Sequence, residues 1–294
     1  MNLRILLLGN TGQLGWELQR TLLTKNNLVA MDYPEINMAD PDNLVEILRR
    51  VKPNLILNAT AYTNVDKAES ETEIAMAING TGPGILAEEA RKINAGLIHY
   101  STDYVFDGAK GRPYTEEDQP NPLNEYGRTK LLGEKAVQAA GGKYLIFRTS
   151  WVYSLRRPCF LTKVMEWARK NKTLRIVDDQ ISSPTWARTL SEATAQILAK
   201  GREHPLAYIE EQKGLYHLTG GGHCSRYEWA QFILDNETNK ESQLVKELLP
   251  ANSSDFPLPA TRPLNTAMLC DKFERRFKIN LPSWQSTLKL VLKK

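Results

Sequence analysis

Short apolar runs alternate with longer amphipathic stretches through the first half of the chain. RILLLG (4–9), LVAMD (28–32), NLILNAT (54–60), GLIHYS (96–101) and YLIFRTS (144–150) are rich in Leu, Ile and Val without strict alternation, the pattern of strands buried on both faces. Between them the apolar positions take helical spacing: Leu14, Leu18 and Leu22, then Leu44, Ile47 and Leu48 ahead of Pro53, then residues 71–93 and 126–140. Strand, helix and strand in that order predict a parallel sheet with right-handed crossovers, hence the α/β class. After residue 150 the order loosens. Helices are expected at 160–171, 186–199, 226–235 and 284–293, separated by loops such as SSPT (182–185) and DFPLPATRP (255–263). Repeats, low-complexity tracts and a flexible linker are all lacking, so the second half should pack onto the sheet rather than stand apart.

Composition narrows the function classes. A chain of 294 residues, 41% hydrophobic and 24% charged, can bury one large α/β core or two coupled domains. The net charge of +4 is scattered in short basic runs, which argues against a nucleic-acid partner. Cys159, Cys224 and Cys270 are far apart and never CxxC, so neither a disulfide framework nor a zinc site is expected, and a reducing cytoplasm fits. The N-terminal apolar run of about five residues ends in a glycine turn, too short for a signal peptide or a membrane span.

That turn, GNTGQLG, sets Gly9, Gly12 and Gly15 between the first strand and the first helix. Glycines there let ligand phosphates approach the backbone, and the helix N-terminus offers free N–H groups. The spacing is GxxGxxG rather than the usual GxGxxG, but Asp32 ends the second strand, where a carboxylate can hold an adenosine ribose. The plainer alternatives are a turn that needs glycine for its geometry alone and an Asp that solvates a strand end. No GxxxxGK[ST], GxSxG or HExxH is present, so phosphoryl transfer and triad hydrolysis lose support. A Rossmann-type doubly wound sheet follows, with 1–150 as the dinucleotide-binding domain and 151–294 mainly a smaller substrate-binding portion, the chain free to cross back. Tyr33 and Pro34 follow Asp32 with Lys25 as the nearest basic residue, which favours NADH over NADPH while leaving both usable.

Ligands of such sheets sit at the carboxyl ends of the strands. Thr102 follows the GLIHYS strand, and Tyr126 and Lys130 in NEYGRTK share one face of a helix. A phenol with an ammonium one turn away can donate a proton to a carbonyl oxygen as hydride arrives, while the Thr102 hydroxyl orients that oxygen. The alternative is a surface Tyr beside a solvated Lys. Trp151, at a strand end, suits a flat sugar ring or a core position equally. Arg262 can reach a diphosphate from its loop or simply be solvated. His99 reads as a core histidine, and Trp167, Trp229 and Trp284 as packing residues.

Together GNTGQLG, NATAYTNVDKAE, HYSTDYVFDG, YGRTK, FRTSWVY, DDQISSPT and RPLNTAML resemble the extended short-chain dehydrogenase/reductases, and within them the dTDP-4-dehydrorhamnose reductases, from about residue 3 to 290. The resemblance implies reduction of the C4 ketone of dTDP-4-dehydro-L-rhamnose to dTDP-L-rhamnose by NADH or NADPH, a step of polysaccharide biosynthesis. It implies Thr102, Tyr126 and Lys130 as the catalytic group. Cofactor contacts are implied at Gly9, Thr11, Gly12, Gln13, Leu14, Asp32, Thr60, Ala61 and Tyr62, beside Tyr126 and Lys130. Substrate contacts are implied at Val65, Asp103 and Trp151, beside Thr102 and Tyr126, and the loop reading adds Arg262.

Two departures stand out. Asn37 and Met38 occupy the adenine loop where many members carry Asp. Some members dimerise through a magnesium site; Glu17 matches one of its acids, but Arg188 stands where another is expected, and a cation repels a metal. No metal and a monomer or weak homodimer are therefore expected. The rival readings are a nucleotide-sugar epimerase or 4,6-dehydratase of the same fold, which retains NAD, and a non-catalytic nucleotide-binding regulatory subunit, which has no use for a polarised phenol.

Overall fold

A computed structural model describes residues 3–23 and 27–293. Its centre is a six-stranded sheet of β1 (Arg4–Leu8), β2 (Asn27–Met31), β3 (Leu55–Asn58), β4 (Gly96–Thr102), β5 (Lys143–Thr149) and β6 (Gly214–His217). The spatial order is β6-β5-β4-β3-β1-β2 and every pairing is parallel. The order reverses between β1 and β3, the switch point where a doubly wound sheet opens a crevice. Both faces are covered, by one core around Ile5, Leu57, Ile98 and Phe147 and another around Leu6, Ile56, Leu97 and Ile146. Burial on two faces explains why these strands lack alternation.

The five strands expected from the apolar runs are present, each within a residue or two of its predicted ends. The sixth comes from the second half of the chain. GLYH is too short to announce itself, and it gains strand geometry only by pairing with β5, Leu215 opposite Ile146. Helices Ala187–Lys200 and Asp271–Phe277 also contribute Leu190, Ile197, Phe273 and Phe277 to the sheet's first core. The rest of the second half has its own core around Trp229, Tyr153, Leu161 and Leu288. Trp229 and Trp284 are buried there, and Trp167 packs against it.

Residues 71–93 do not form one helix. Thr72–Met76 leads into a wide π turn, Ala77–Thr81, before Gly82–Lys92 resumes the α-helix. Pro83 has no N–H to donate to the Asn79 carbonyl, and the helix widens there. The helix that carries Tyr126 and Lys130, Glu125–Ala140, is capped by Asn124, whose side chain accepts from Gly127 N at 2.8 Å, and it ends at Gly141 in the left-handed region. The same Asn124 donates to the Thr261 carbonyl at 2.8 Å, tying the start of this helix to the late loop. Among the described residues no helix is long and apolar enough to cross a membrane.

Candidate active site

A groove of about 590 Å³ runs along the carboxyl ends of the strands and is lined by Gly9, Thr11, Gly12, Gln13, Leu14, Asp32, Asn37, Met38, Thr60, Ala61, Tyr126 and Lys130. The three glycines have distinct reasons. Gly9 sits at φ +84°, where a side chain is strained, and a Cβ on Gly15 would lie 2.0 Å from the Gly9 carbonyl oxygen. Gly12 is the looser position, with only that carbonyl within reach at 3.2 Å. It caps the first helix, Gln13–Leu22, without a side-chain hydrogen bond, leaving the N-terminal N–H groups to the groove. Asp32 is half-buried; its carboxylate accepts from Thr11 N at 3.0 Å, Thr11 Oγ1 at 2.5 Å and Tyr33 N at 2.8 Å. Asn37 Oδ1 is taken by Ala39 N at 3.0 Å and Met38 is buried in the core.

The reactive end is buried. Lys130 is 1% exposed and its Nζ donates to the Tyr100 carbonyl at 2.6 Å. Burial pushes its ammonium down to about 8, with the neighbouring Glu134 carboxylate pulling the other way. Tyr126 departs from the sequence expectation. Burial raises the phenol above its ordinary value, the Thr102 hydroxyl draws it partly back, and the Asp103 charge raises it further. Lys130 is held on a backbone carbonyl, desolvation dominates at the phenol, and Tyr126 is firmly protonated, the state a proton donor needs.

Beneath these lie Thr102 and Asp103. Thr102 Oγ1 accepts from Tyr104 N at 3.1 Å and donates to Asp103 Oδ1 at 3.1 Å. Asp103 also accepts from Ser182 at 2.9 Å and from Thr266, and at 2% exposure it is not presented to the groove. It ties Thr102 to Ser182 and Thr266. Burial raises its carboxyl, against which the three hydroxyls act.

A second cavity, of about 470 Å³, adjoins the reactive end in the other half and is lined by Tyr104, Phe160, Trp167, Gln180, Arg226, Phe256, Leu258 and Arg262, among others. The Tyr104 ring meets the Tyr126 ring edge-on, 5.9 Å between centroids, so these two tyrosines join the groove to the cavity. Arg226 has its guanidinium 3.6 Å from the Trp151 ring, which in turn stacks on Trp229. Burial lowers Arg226 to about 10. Trp151, at φ +39°, thus belongs to the aromatic core of the second half while remaining partly exposed. Arg262 pairs with Asp66 at 2.8 Å, which links the short helix Val65–Ala68, with Val65 half-buried, to the cavity rim. Burial works to raise Asp66, but hydrogen bonds from Arg262 and Ala260 hold it below the usual carboxylate range.

Tyr62 is the predicted cofactor residue that turns away. Its hydroxyl donates to Glu71, and its backbone N–H and carbonyl are both held by the Asn79 side chain at 2.9 and 3.1 Å. The π turn is what aims Asn79 at this loop. His99 is fully buried, paired with Asn58 at 3.1 Å and kept neutral by desolvation, as a core histidine should be. Sequence reasoning missed Ser101, Thr149 and Arg157, which also line the groove. Ser101 and Thr149 are buried with unpartnered hydroxyls, legible from the strand ends only once register is known. Lys25 lies outside the described residues.

Glu17 pairs with Arg20 at 2.9 Å and Arg188 with Glu192 at 2.6 Å. Among the described residues no cluster of three or more His, Cys, Asp or Glu is placed to hold a metal ion.

The family described as RmlD substrate binding domain matches residues 3–294. The dTDP-4-dehydrorhamnose reductase of Salmonella typhimurium is 40% identical over 295 residues, covering 99% of this chain and 97% of the relative. This chain belongs to the dTDP-4-dehydrorhamnose reductase family. Among solved reductases of the family, that of Clostridium acetobutylicum superposes with a TM-score of 0.89 at 32% identity, covering 98% of each chain. The Bacillus anthracis reductase, in complex with NADP, also gives 0.89, at 28% identity with 99% of each chain covered.

Proposed function

We propose that this member of the family reduces the C4 ketone of dTDP-4-dehydro-L-rhamnose to dTDP-L-rhamnose with a nicotinamide dinucleotide in the groove. The observation that carries the reading is the meeting of a dinucleotide-shaped groove and a cation-lined cavity at a half-buried, protonated Tyr126. The residues fit a dinucleotide. Gly12 leaves the helix N-terminus open, and the orphaned hydroxyls of Ser101 and Thr149 await polar partners inside the groove.

When bound, the nicotinamide supplies the hydride. Tyr126 delivers the proton to the developing alkoxide, and Thr102, positioned by Tyr104 N, orients that oxygen by turning its hydroxyl hydrogen to it from Asp103. Lys130 supplies positive charge beside them and is the groove's candidate donor to a ribose hydroxyl. Arg226, with Arg262 at the rim, offers a cationic wall to a sugar nucleotide's diphosphate. In this reading the sheet-bearing body binds cofactor and the portion around Trp229 binds substrate, with β6 and two helices crossing back. Glu17, paired with Arg20, and Arg188, paired with Glu192, support a monomer or weak homodimer without magnesium, which sedimentation with and without magnesium would test. The three free cysteines support a cytoplasmic setting.

Cofactor oxidation measured with dTDP-4-dehydrorhamnose against UDP- and GDP-linked keto sugars tests the assignment. The dTDP sugar should turn over fastest; faster turnover of either competitor would reject it.

A further inference from the structure

The segment that follows β5 folds back over the glycine turn. Gln13 Nε2 donates to the Val152 carbonyl at 3.3 Å, and Ser154 Oγ donates to Gln13 Oε1 at 3.0 Å. The Arg156 guanidinium lies 4.5 Å from the Trp16 ring on the first helix. Between these anchors and Pro158, Arg157 reaches the groove, where its Nη2 donates to Thr11 Oγ1 at 3.2 Å, across 146 positions of sequence. That hydroxyl is the one that donates to Asp32 Oδ2. The guanidinium therefore stands one hydroxyl away from the carboxylate at the ribose position.

We propose that Arg157 admits the 2′-phosphate of NADPH at this end of the groove and so sets the cofactor preference. The proposal rests on the dinucleotide reading of the groove. A phosphate on the ribose would meet the Asp32 charge unaided were no cation present. Among the described residues Lys130 and Arg157 are the cations lining the groove, and Lys130 is buried at the far end on the Tyr100 carbonyl. The diphosphate common to both cofactors has the open helix N-terminus at Gly12. Arg157 is exposed, makes no ion pair among the described residues, and carries donors in a planar fork suited to phosphate oxygens. It supplies the basic group that the residues following Asp32 lack.

Arg157→Ala should lower kcat/KM for NADPH by about tenfold or more, the scale of hydrogen bonds to a charged group, while kcat/KM for NADH changes by less than about twofold. Arg157→Lys should retain part of the NADPH rate as a point charge. Adenosine 2′,5′-bisphosphate should inhibit the Ala variant more weakly than the wild type, and ADP should inhibit both equally. An equal fall with both cofactors would place Arg157 at the shared diphosphate or in loop support and overturn the proposal. Unchanged kinetics with both would overturn it too. Failure of both adenosine probes to inhibit the wild type would instead reject the dinucleotide reading beneath it, and failure of the 2′,5′-bisphosphate alone would overturn the proposal.

Discussion

The two ends of the groove are built on opposite electrostatic terms. At the reactive end Thr102, Asp103 and Lys130 are 5%, 2% and 1% exposed, so desolvation decides which groups carry protons. At the ribose end Thr11 and Arg157 are exposed and Asp32 is half-buried, so charges there act through water and are screened. The first arrangement makes chemistry sensitive to single atoms. The second makes cofactor choice a matter of small, additive preferences.

Replacing one atom at the buried end should have the largest effect. Tyr126→Phe is expected to lower kcat by about 10² or more, the scale of losing a general acid, with dinucleotide affinity near wild type. Turnover within a few fold of wild type, followed by cofactor oxidation, would remove Tyr126 as the proton donor.

Thr102→Val should follow. It deletes the acceptor for Tyr104 N and one of the donors to Asp103, so kcat should fall by about tenfold and stability by about 1–2 kcal/mol. Urea denaturation alongside kinetics checks both; a stability loss with unchanged kcat would confine Thr102 to the frame.

Lys130 separates activity from stability. Burial lowers it from about 10.5 to about 8, so protonating it costs more in the folded than in the unfolded chain. Wild-type stability should therefore rise between about pH 8 and 10.5, where the unfolded chain binds more protons. Lys130→Met should abolish that rise and gain on the order of 1 kcal/mol at pH 7 while losing activity. In the wild type, kcat/KM should decline as pH rises through about 8 and the ammonium is lost. Parallel stability curves for wild type and variant would contradict the assignment.

The exposed end should give the smallest response. Asp32→Ala is expected to improve kcat/KM with NADPH by roughly fivefold, a screened charge contact, and to leave NADH nearly unchanged. If NADH suffered more than NADPH gained, Asp32 would act mainly as a ribose acceptor.

The sequence by itself determined the sheet's five leading strands, the helix with Tyr126 and Lys130, and the glycine turn beside Asp32. Each is local: two-sided burial writes itself as an apolar run, and a ligand-bearing turn needs its glycines in fixed positions. The motifs, read together, also determined the family. Only the tertiary structure decided the rest. GLYH became β6 by pairing with β5, and Pro83 opened the π turn that points Asn79 at the Tyr62 loop and turns Tyr62 away. Desolvation, a property of surroundings distant in sequence, keeps Tyr126 firmly protonated against the lowering that a nearby lysine suggests. Arg157 is a loop residue to a reader of the chain, and it meets Thr11 and Asp32 because the segment after β5 is fastened to Gln13 and Trp16. Periodicity and motif spacing record what neighbours along the chain must do, whereas burial and charge pairing depend on which distant segments the fold brings into contact.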